Sequence, residues 1–315
     1  MKKNLLLSGL GGSLFPYLHH YLQRYYHLFY VDSNQTLSQL YPGLNFFHSP
    51  LVTEKAYESL IKEIISSHKI HYYIPLIDEE ILFAKNKING FHDVHVISPQ
   101  ESFVKLCLNK FDLMNKLRDA SISNVESYTG ANFNWEIKAP IFIKPITGRG
   151  SRGIRKIKSP KELNAYYELE PYQPEEIIIQ PFLEGTEYTV GVLVNNVNKA
   201  IAISSKRIIS KKGITIMAVT ENNKAIDEVV LKIVDKLKPG GPFNVQLILT
   251  PDSEVKIFEI NPRFSTTSIM EFEGGLDLFS LYIGNLNQDY QGDIQRPKSG
   301  LVLHRRWENC FYEAN

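Results

Sequence analysis

Four polar side chains in two neighbouring apolar runs are the part of the 315-residue sequence best suited to chemistry. Glu259 and Asn261 stand two positions apart in a run that predicts a β-strand, so both side chains leave the same face, roughly 7 Å apart. Asn244 and Gln246 have the same spacing in the preceding run, and a short turn predicts that the two strands pair. Carboxylate and amide oxygens are hard ligands that suit Mg²⁺, although such residues are also common on solvated faces of antiparallel sheets.

A cationic, glycine-rich segment offers a second kind of chemistry. Lys144 lies near the end of the predicted strand 141–146, and its long stem can extend toward an anion held by the loop 148–153. The small residues of this loop, which let backbone N–H groups approach an anion, are Gly148, Gly150, Ser151 and Gly153. The loop lacks the Gly-Lys-Ser/Thr ending of a P-loop, which excludes that mechanism. The pattern predicts either a phosphate-binding loop or a flexible basic hairpin tip.

Two further features fit a nucleotide. Arg263 follows Glu259 and Asn261 on the same side and can donate a bidentate hydrogen bond to phosphate. In the segment 180–187, backbone groups around Phe182 and Leu183 are placed to pair with an adenine edge, and Glu187 to accept from ribose hydroxyls. Taken alone, this segment is an ordinary connection between strands.

The elements that must position these residues fall into two regions. The first hundred residues alternate between strands and helices, which predicts a doubly wound parallel sheet. The predicted strands there are 4–7, 28–31, 71–75 and 94–97, and the helices are 14–25 and 54–67. After residue 98, paired strands with segregated helices predict an α+β region. Its predicted strands are 141–146, 177–182, 187–194, 200–205, 243–250 and 254–260, and its helices are 161–168 and 225–237.

A helix begins near the junction of the two regions. Ser98, Pro99 and Glu101 form a capping pattern at its start. An apolar stripe from Val104 to Leu117 then predicts one continuous helix, with Lys105, Asn109 and Lys110 off the stripe.

Composition restricts the class of protein. The 35 Lys and Arg residues nearly balance 34 Asp and Glu, which argues against a dedicated nucleic-acid binder. The longest apolar runs are too short for a membrane span, and no signal peptide is recognised at the N-terminus. Two cysteines, Cys107 and Cys310, cannot form a disulfide framework, so we expect a cytoplasmic protein without a membrane partner.

The order of these segments resembles the ATP-grasp superfamily. The segments that carry the resemblance are Asn244-Val245-Gln246, Phe258 to Ser265, and Lys144-Pro145 with its glycine loop. They are most similar to the large subunit of carbamoyl-phosphate synthase and to the stand-alone carboxylate–amine ligases built on that plan. The resemblance implies an α/β, doubly wound pre-ATP-grasp domain over 1–98, and an α+β ATP-grasp domain over 99–315 with a small lid subdomain at roughly 121–180.

The resemblance also implies roles for individual residues. Lys110 and Lys144 would contact the nucleotide phosphates, beneath a mobile lid loop made of Gly148, Gly150, Ser151 and Gly153. Adenine would be held by Gln180, Phe182 and Leu183, and the ribose by Glu187. Mg²⁺, as two ions sharing one carboxylate and with Mn²⁺ as a substitute, would be held by Gln246, Glu259 and Asn261. Arg263 and Lys144 would be catalytic. Asn109 departs from the Asp that usually precedes the first lysine.

The implied reaction is ligation driven by ATP. A small-molecule carboxylate becomes an acyl phosphate with release of ADP, and an amine, or a thiol, then displaces phosphate. Arg207 and Arg306 are candidates for holding the substrate. The acidic run at Asp78 resembles a loop that faces the site, and its charge also favours the N-terminus of a helix. Homodimers are common among such relatives.

Other interpretations predict different behaviour. One is half of a carbamoyl-phosphate synthase, although a complete synthetase needs two ATP-grasp units and this length holds one. Another is a regulatory protein that binds ATP without turnover. A dinucleotide-binding module built on Gly9, Gly11 and Gly12 lacks the last glycine of its fingerprint, because Leu14 stands there.

Overall fold

A parallel sheet forms the N-terminal part of the chain. The computed structural model of the protein describes residues 2–9, 11–135, 140–148, 153–306, 309 and 311. The strands are β1 Lys3–Ser8, β2 Tyr26–Asp32, β3 Asn45–His48, β4 Tyr72–Ile74 and β5 His95–Val96, in the order β3-β2-β1-β4-β5 and all parallel. The helices are α1 Phe15–Leu22, α2 Leu37–Leu40, α3 Lys55–His68 and α4 Asp78–Phe83. This confirms the predicted doubly wound sheet.

Strand order reverses between β1 and β4, so the ends of these two strands open a crevice at the edge of the sheet where ligands bind in such folds. The turn after β1 begins at Gly9, whose φ of +80° suits glycine. After β4, the chain enters α4 at Asp78. The turn at Gly9 and the start of α4 at Asp78 therefore both lie at this crevice.

Two helices follow where the sequence predicts one. These are α5 Glu101–Leu108 and α6 Lys110–Asp119, and Asn109 between them has extended backbone angles. Its side-chain oxygen accepts hydrogen bonds from the backbone N–H groups of Phe111 and Asp112, which is the geometry of a helix N-cap. The prediction of a continuous helix was wrong because a cap residue interrupts the apolar stripe.

A small four-stranded sheet makes the lid. Its strands are β6 Tyr128–Thr129, β7 Ile141–Pro145, β8 Arg155–Ile157 and β9 Ile177–Pro181, in the order β6-β9-β7-β8, and it carries α7 Pro160–Leu169. The lid has an apolar core of its own, built on Ile141, Ile143, Ile157, Leu163, Tyr166, Ile177 and Ile179. Arg149, Gly150, Ser151 and Arg152 of the predicted loop lie outside the described residues.

A larger antiparallel sheet completes the second region. Its strands are β10 Thr186–Val194, β11 Ala200–Lys212, β12 Ile214–Glu221, β13 Phe243–Leu249, β14 Val255–Asn261 and β15 Val302–His304, in the order β14-β13-β10-β11-β12-β15. The associated helices are α8 Lys224–Leu237, α9 Ile269–Glu273 and α10 Leu278–Gly284. Single turns of 3₁₀ or π helix lie at Ala84–Ile88, Phe91–Asp93, Gly130–Asn132, Pro174–Glu176 and Thr266–Ser268.

The two faces of this large sheet are covered differently. One face packs on α5, α6 and α8 through a core that includes Val190, Val245 and Ile233. The other face shares a continuous core with the N-terminal sheet, in which Leu7 and Phe15 join Ile201 and Phe279. The N-terminal region is therefore packed directly against the second region. The boundary near residue 98 stays a prediction, between the end of β5 and the start of α5. Among the described residues, no helix is long and apolar enough to cross a membrane.

A buried carboxylate anchors α4 under the N-terminal sheet. Glu80 is 6% exposed and accepts a hydrogen bond from the Tyr73 hydroxyl at 3.4 Å. Ser8 and Tyr57 also hydrogen-bond to it, and Asp32 lies close enough to repel its charge. Burial raises the pKa of Glu80 to about 7 and outweighs these hydrogen bonds, which favour the ionised form.

The cap at Asn109 gives a first prediction. Asn109→Ala removes the acceptor for two backbone N–H groups, so we expect the free energy of unfolding to fall by about 1 kcal/mol. Asn109→Asp keeps an acceptor and suits the positive end of the helix dipole, so it should retain the stability of the wild type. Urea unfolding of the three proteins measures the effect. Equal losses for Ala and Asp would contradict the capping role.

The buried Glu80 gives a second prediction, on pH. Its pKa is about 7 in the folded protein, above the ordinary glutamate value of 4.5, so the folded state binds the proton more tightly than the unfolded state. The contribution of protonated Glu80 to the free energy of unfolding is fully present below pH 4.5 and is lost as pH rises through 7. Glu80→Gln mimics the protonated form, so between pH 5 and 8 it should gain about 3 kcal/mol relative to the wild type. Urea unfolding of both proteins at pH 5 and at pH 8 measures this gain. A difference in the free energy of unfolding that is the same at both pH values would contradict the prediction.

Candidate active site

Strand pairing places the predicted metal ligands side by side. In the register of β13 and β14, Gln246 lies opposite Glu259 and Asn244 lies opposite Asn261. The Asn261 side chain hydrogen-bonds to Glu259. Asn244 is buried, and its oxygen accepts a 2.8 Å hydrogen bond from Thr189. The sheet therefore brings together Gln246, Glu259 and Asn261, whereas Asn244 is part of the packing.

Lys144 approaches this face from the lid. Its Nζ atom lies 3.6 Å from Glu259 Oε2 and donates to the Phe258 carbonyl at 3.0 Å. Burial lowers the pKa of Lys144 to about 8, with Lys110 adding to the effect and Glu259 opposing it. For Glu259, burial alone would raise the pKa, but the charges of Lys144 and Lys110 outweigh it and lower it overall. Glu259 is thus held ionised, the state that a metal ligand requires.

Lys110 joins the same cluster. As the first residue of α6, it is 8% exposed, and its Nζ atom donates to the Gly148 carbonyl at 2.8 Å. The cap at Asn109 turns the chain so that Lys110 points back to β7, where its backbone N–H also bonds to Ile146. Gly148 has a φ of +98°, which only glycine adopts readily. The predicted loop therefore begins beside both lysines.

A third lysine, Lys211, was missed from the sequence. It lies on β11, which the sequence predicts to end at residue 205 but which continues to Lys212. Its Nζ atom is 2.6 Å from the carboxylate of Glu187, and its charge also reaches Lys144 and Glu259. The alternating apolar residues after Gly213 were a signal that a hairpin continues there. Glu187, the predicted ribose ligand, is thus already ion-paired.

The predicted adenine segment borders the lid sheet. Gln180 is 4% exposed and its amide donates to Ser127 at 2.8 Å. The Phe182 N–H donates to the Pro140 carbonyl at 3.0 Å, so this N–H serves the lid rather than a ligand. The adenine contact proposed for this segment then falls to the Phe182 carbonyl and to Leu183. The Phe182 ring lies under Lys156, whose Nζ atom is 3.3 Å from the ring centroid.

The two arginines proposed to hold substrate occupy other places. Arg207 lies opposite Tyr188 in the sheet and pairs with Glu221 at 3.1 Å. The residues aligned with Glu259 across the neighbouring strands are instead Gln246, Thr189 and Lys206. Since successive side chains alternate, Arg207 projects from the face opposite the metal ligands. This position contradicts a direct role for Arg207 in the site.

The C-terminal candidate Arg306 is exposed, and its neighbour Arg305 makes the contacts. The Arg305 guanidinium donates to the backbone carbonyls of Ser13 at 3.1 Å, Thr215 at 2.9 Å and Thr266. It therefore ties the turn after β1 to the segment that follows Arg263. Trp307, Glu308 and Cys310 of the predicted tail lie outside the described residues.

Arg263 is held by the N-terminal region. Its Nε atom lies 2.5 Å from Asp78 Oδ1, and Nη2 lies 3.5 Å from Oδ2. Asp78 is the first residue of α4, so the acidic run starts a helix as its charge predicts, and Asp78 contacts the predicted catalytic residue Arg263. The Arg263 backbone N–H donates to the Asn261 carbonyl at 2.9 Å, so the pair adjoins the predicted metal ligands in the chain.

Comparison with known proteins decides the family. A model of the ATP-grasp domain matches residues 107–267, slightly more than half of the chain. The chain belongs to the ATP-grasp family. The match begins just before the Asn109 cap and ends beyond Arg263. It therefore includes the lid, the three lysines and the Gln246, Glu259 and Asn261 face of this ATP-grasp protein.

Individual relatives of this ATP-grasp protein match it over parts of their length. A D-alanine–D-alanine ligase from Flavobacterium johnsoniae is 38% identical over 96 residues, which are 28% of this chain and 30% of that ligase. A second, from Christiangramia forsetii, is 27% identical over 191 residues, 52% of this chain and 58% of that ligase. The L-amino acid ligase of Bacillus licheniformis has the same fold, with a TM-score of 0.70 at 17% identity over 90% of this chain and 74% of that one.

A buried ion pair lies on the same face of the large sheet as the predicted metal ligands. Lys206 contacts Glu271 of α9, and both side chains are fully buried. Gly191 lies against them, since a Cβ there would collide with Glu271 Oε1. Glu271 Oε2 has no hydrogen-bond partner among the described residues. The pair joins β11 to the segment that follows Arg263.

This pair gives a third prediction. Glu271→Leu leaves the Lys206 charge buried and unpaired, so we expect the free energy of unfolding to fall by about 3 to 5 kcal/mol. The double variant Lys206→Met/Glu271→Leu removes both charges and should be more stable than either single variant. Urea unfolding of the four proteins tests the order. A double variant no more stable than the single ones would contradict it.

Proposed function

We propose that this protein is an ADP-forming ligase that joins a small-molecule carboxylate to an amine. The observation that carries the proposal is the convergence of Lys110, Lys144 and Lys211 around the ionised Glu259, with Gln246 opposite it. Three cations beside two carboxylates, Glu259 and Glu187, leave an excess of positive charge, which fits the phosphates of a nucleotide. The names of the relatives support an amino acid as the carboxylate.

The residues present fit Mg²⁺. Glu259, Asn261 and Gln246 supply one carboxylate and two amides, few enough that an octahedral ion would complete its shell with water and phosphate oxygens. These residues would hold one or two ions sharing Glu259. When bound, the metal would neutralise charge on the phosphates and orient them. Mn²⁺ accepts similar ligands.

Three side chains of the protein would act on the reacting groups. Lys144 and Lys110 bind phosphate oxygens from the lid side and stabilise the charge that develops as the substrate carboxylate attacks the γ-phosphorus. That attack breaks the bond to ADP and leaves an acyl phosphate. Arg263 stabilises the transferred phosphoryl group from the other side, and an amine then displaces phosphate to form the amide. Closing the lid excludes water from the acyl phosphate.

The remaining site residues keep the roles proposed for them. Gln180, Leu183 and the Phe182 carbonyl face adenine, and Glu187 exchanges its bond to Lys211 for the ribose. Gly148 and Gly153 flank the loop over the phosphates, and the φ of +65° at Gly153 suits glycine. A homodimer in the cytoplasm remains our expectation for the assembly.

Product analysis tests the reaction. With Mg-ATP and a panel of amino acids and other carboxylates, we expect ADP and phosphate to form only with a substrate, and hydroxylamine to trap a hydroxamate. AMP and pyrophosphate would contradict the acyl-phosphate route. Carbamoyl phosphate formed from bicarbonate would favour the half-synthetase, and ATP binding without turnover would favour a regulatory protein.

Glu259→Ala gives a fourth prediction within that assay. Loss of the carboxylate removes the central ligand for the metal, so turnover should fall at least about 100-fold; the fold should stay intact, although less stable because Lys144 loses its partner. Glu254→Ala on the same hairpin, a residue whose exposed side chain pairs with Lys256, is the matched control and should keep full turnover. Equal turnover for Glu259→Ala and the control would contradict the site.

A further inference from the structure

The Asp78–Arg263 contact joins two parts of the chain that are 185 positions apart. Arg263 donates through Nε and Nη2 to the two carboxylate oxygens of Asp78, in the fork geometry of a bidentate pair. Its Nη1 atom also donates to the Phe264 carbonyl at 3.3 Å. The side chains of Arg263 and Asp78 are 21% and 11% exposed, so water screens the pair weakly.

Asp78 is presented by a rigid segment. Just before it, the backbone N–H of Leu76 bonds to the Ser8 hydroxyl at 3.2 Å, and Ile77 packs close to Gly9. Two residues after it, Glu80 is buried under the sheet on Tyr73. With its neighbours fixed on both sides, the Asp78 carboxylate has little freedom to follow Arg263, so it determines where the guanidinium lies.

The contact leaves part of the guanidinium for a ligand. An arginine has five N–H donors, and three of them are engaged by Asp78 and Phe264. Within the part of the chain that the structure describes, the other two N–H groups remain for a second acceptor, such as an oxygen of the substrate carboxylate or of the phosphoryl group. An arginine held on one edge loses less conformational entropy when its other edge binds.

We propose that Asp78 is a positioning residue, which orients Arg263 for the ligase reaction from outside the ATP-grasp sheet. This inference rests on the proposed function. It assigns the N-terminal region a part in the chemical step itself, because Asp78 acts on the reacting groups through Arg263. Misplacing a catalytic group by about 1 Å can cost about 100-fold in rate.

Asp78→Asn gives the fifth prediction. The change keeps the shape of the side chain but removes the charge that holds Arg263. We expect kcat to fall about 10- to 100-fold with the KM for ATP unchanged. Asp78→Glu restores the charge and should recover part of kcat. Glu58→Gln, which removes a carboxylate from the exposed pair with Lys62 in the same region, is the control and should leave kcat unchanged.

A double variant separates positioning from a merely structural role. In an Arg263→Lys background, adding Asp78→Asn should lower kcat no further, because the two residues act as one unit. Additive losses would overturn the proposal. So would a raised KM for the carboxylate or the amine with kcat unchanged, since Asp78 would then bind substrate directly.

A readout without turnover distinguishes failure of this inference from failure of the proposed function. The ¹⁵Nε–H resonance of Arg263, assigned by its loss in Arg263→Lys, should exchange slowly with water in the wild type and rapidly in Asp78→Asn. Slow exchange in both would overturn the proposal even in an active enzyme. If no substrate gives turnover, the proposed function fails, and the exchange rates alone decide whether Asp78 holds Arg263.

Discussion

The site depends on the contact between Lys144 and Glu259, where the lid meets the large sheet. Burial opposes the charge on each side chain, and the opposite charge of the partner favours it. Since neither is well solvated, loss of one leaves the other in an unfavourable environment. The end of the lid strand β7 must therefore lie close to β14, so that Lys144 reaches Glu259 and the Phe258 carbonyl. The cap at Asn109 and the long strand β11 then add Lys110 and Lys211 to a geometry that this contact has already determined.

The N-terminal region contacts the candidate site through Arg263. None of its described residues is recorded beside Glu259, yet its switch point places Asp78 on Arg263 and the turn after β1 on Arg305. These contacts are polar and lie at the rim of a shared apolar core. The apolar packing sets the distance between the two sheets, and the polar contacts set the direction of the side chains between them.

Local signals in the sequence predicted much of this structure. Alternating polar and apolar residues with a tight turn correctly paired Gln246 with Glu259, because a strand pair of that kind is determined locally. It was harder to predict which side chains of β11 lie on which face of the sheet, since one position separates the buried Lys206 from Arg207 on the opposite face. The contact between Asp78 and Arg263 could not be predicted, because only the packing of two sheets brings such distant positions together.

The distribution of apolar cores limits how this protein can be divided. The lid has a core built from its own strands and helix, so its exchange with the lid of a relative would keep most apolar contacts within the transplanted piece. The N-terminal sheet has no such independence on the side where Leu7 and Phe15 meet Ile201 and Phe279. A chimera joined near residue 98 would have to match two apolar surfaces at once. Recombination between members of the family should therefore succeed more readily at the lid than at the N-terminal region.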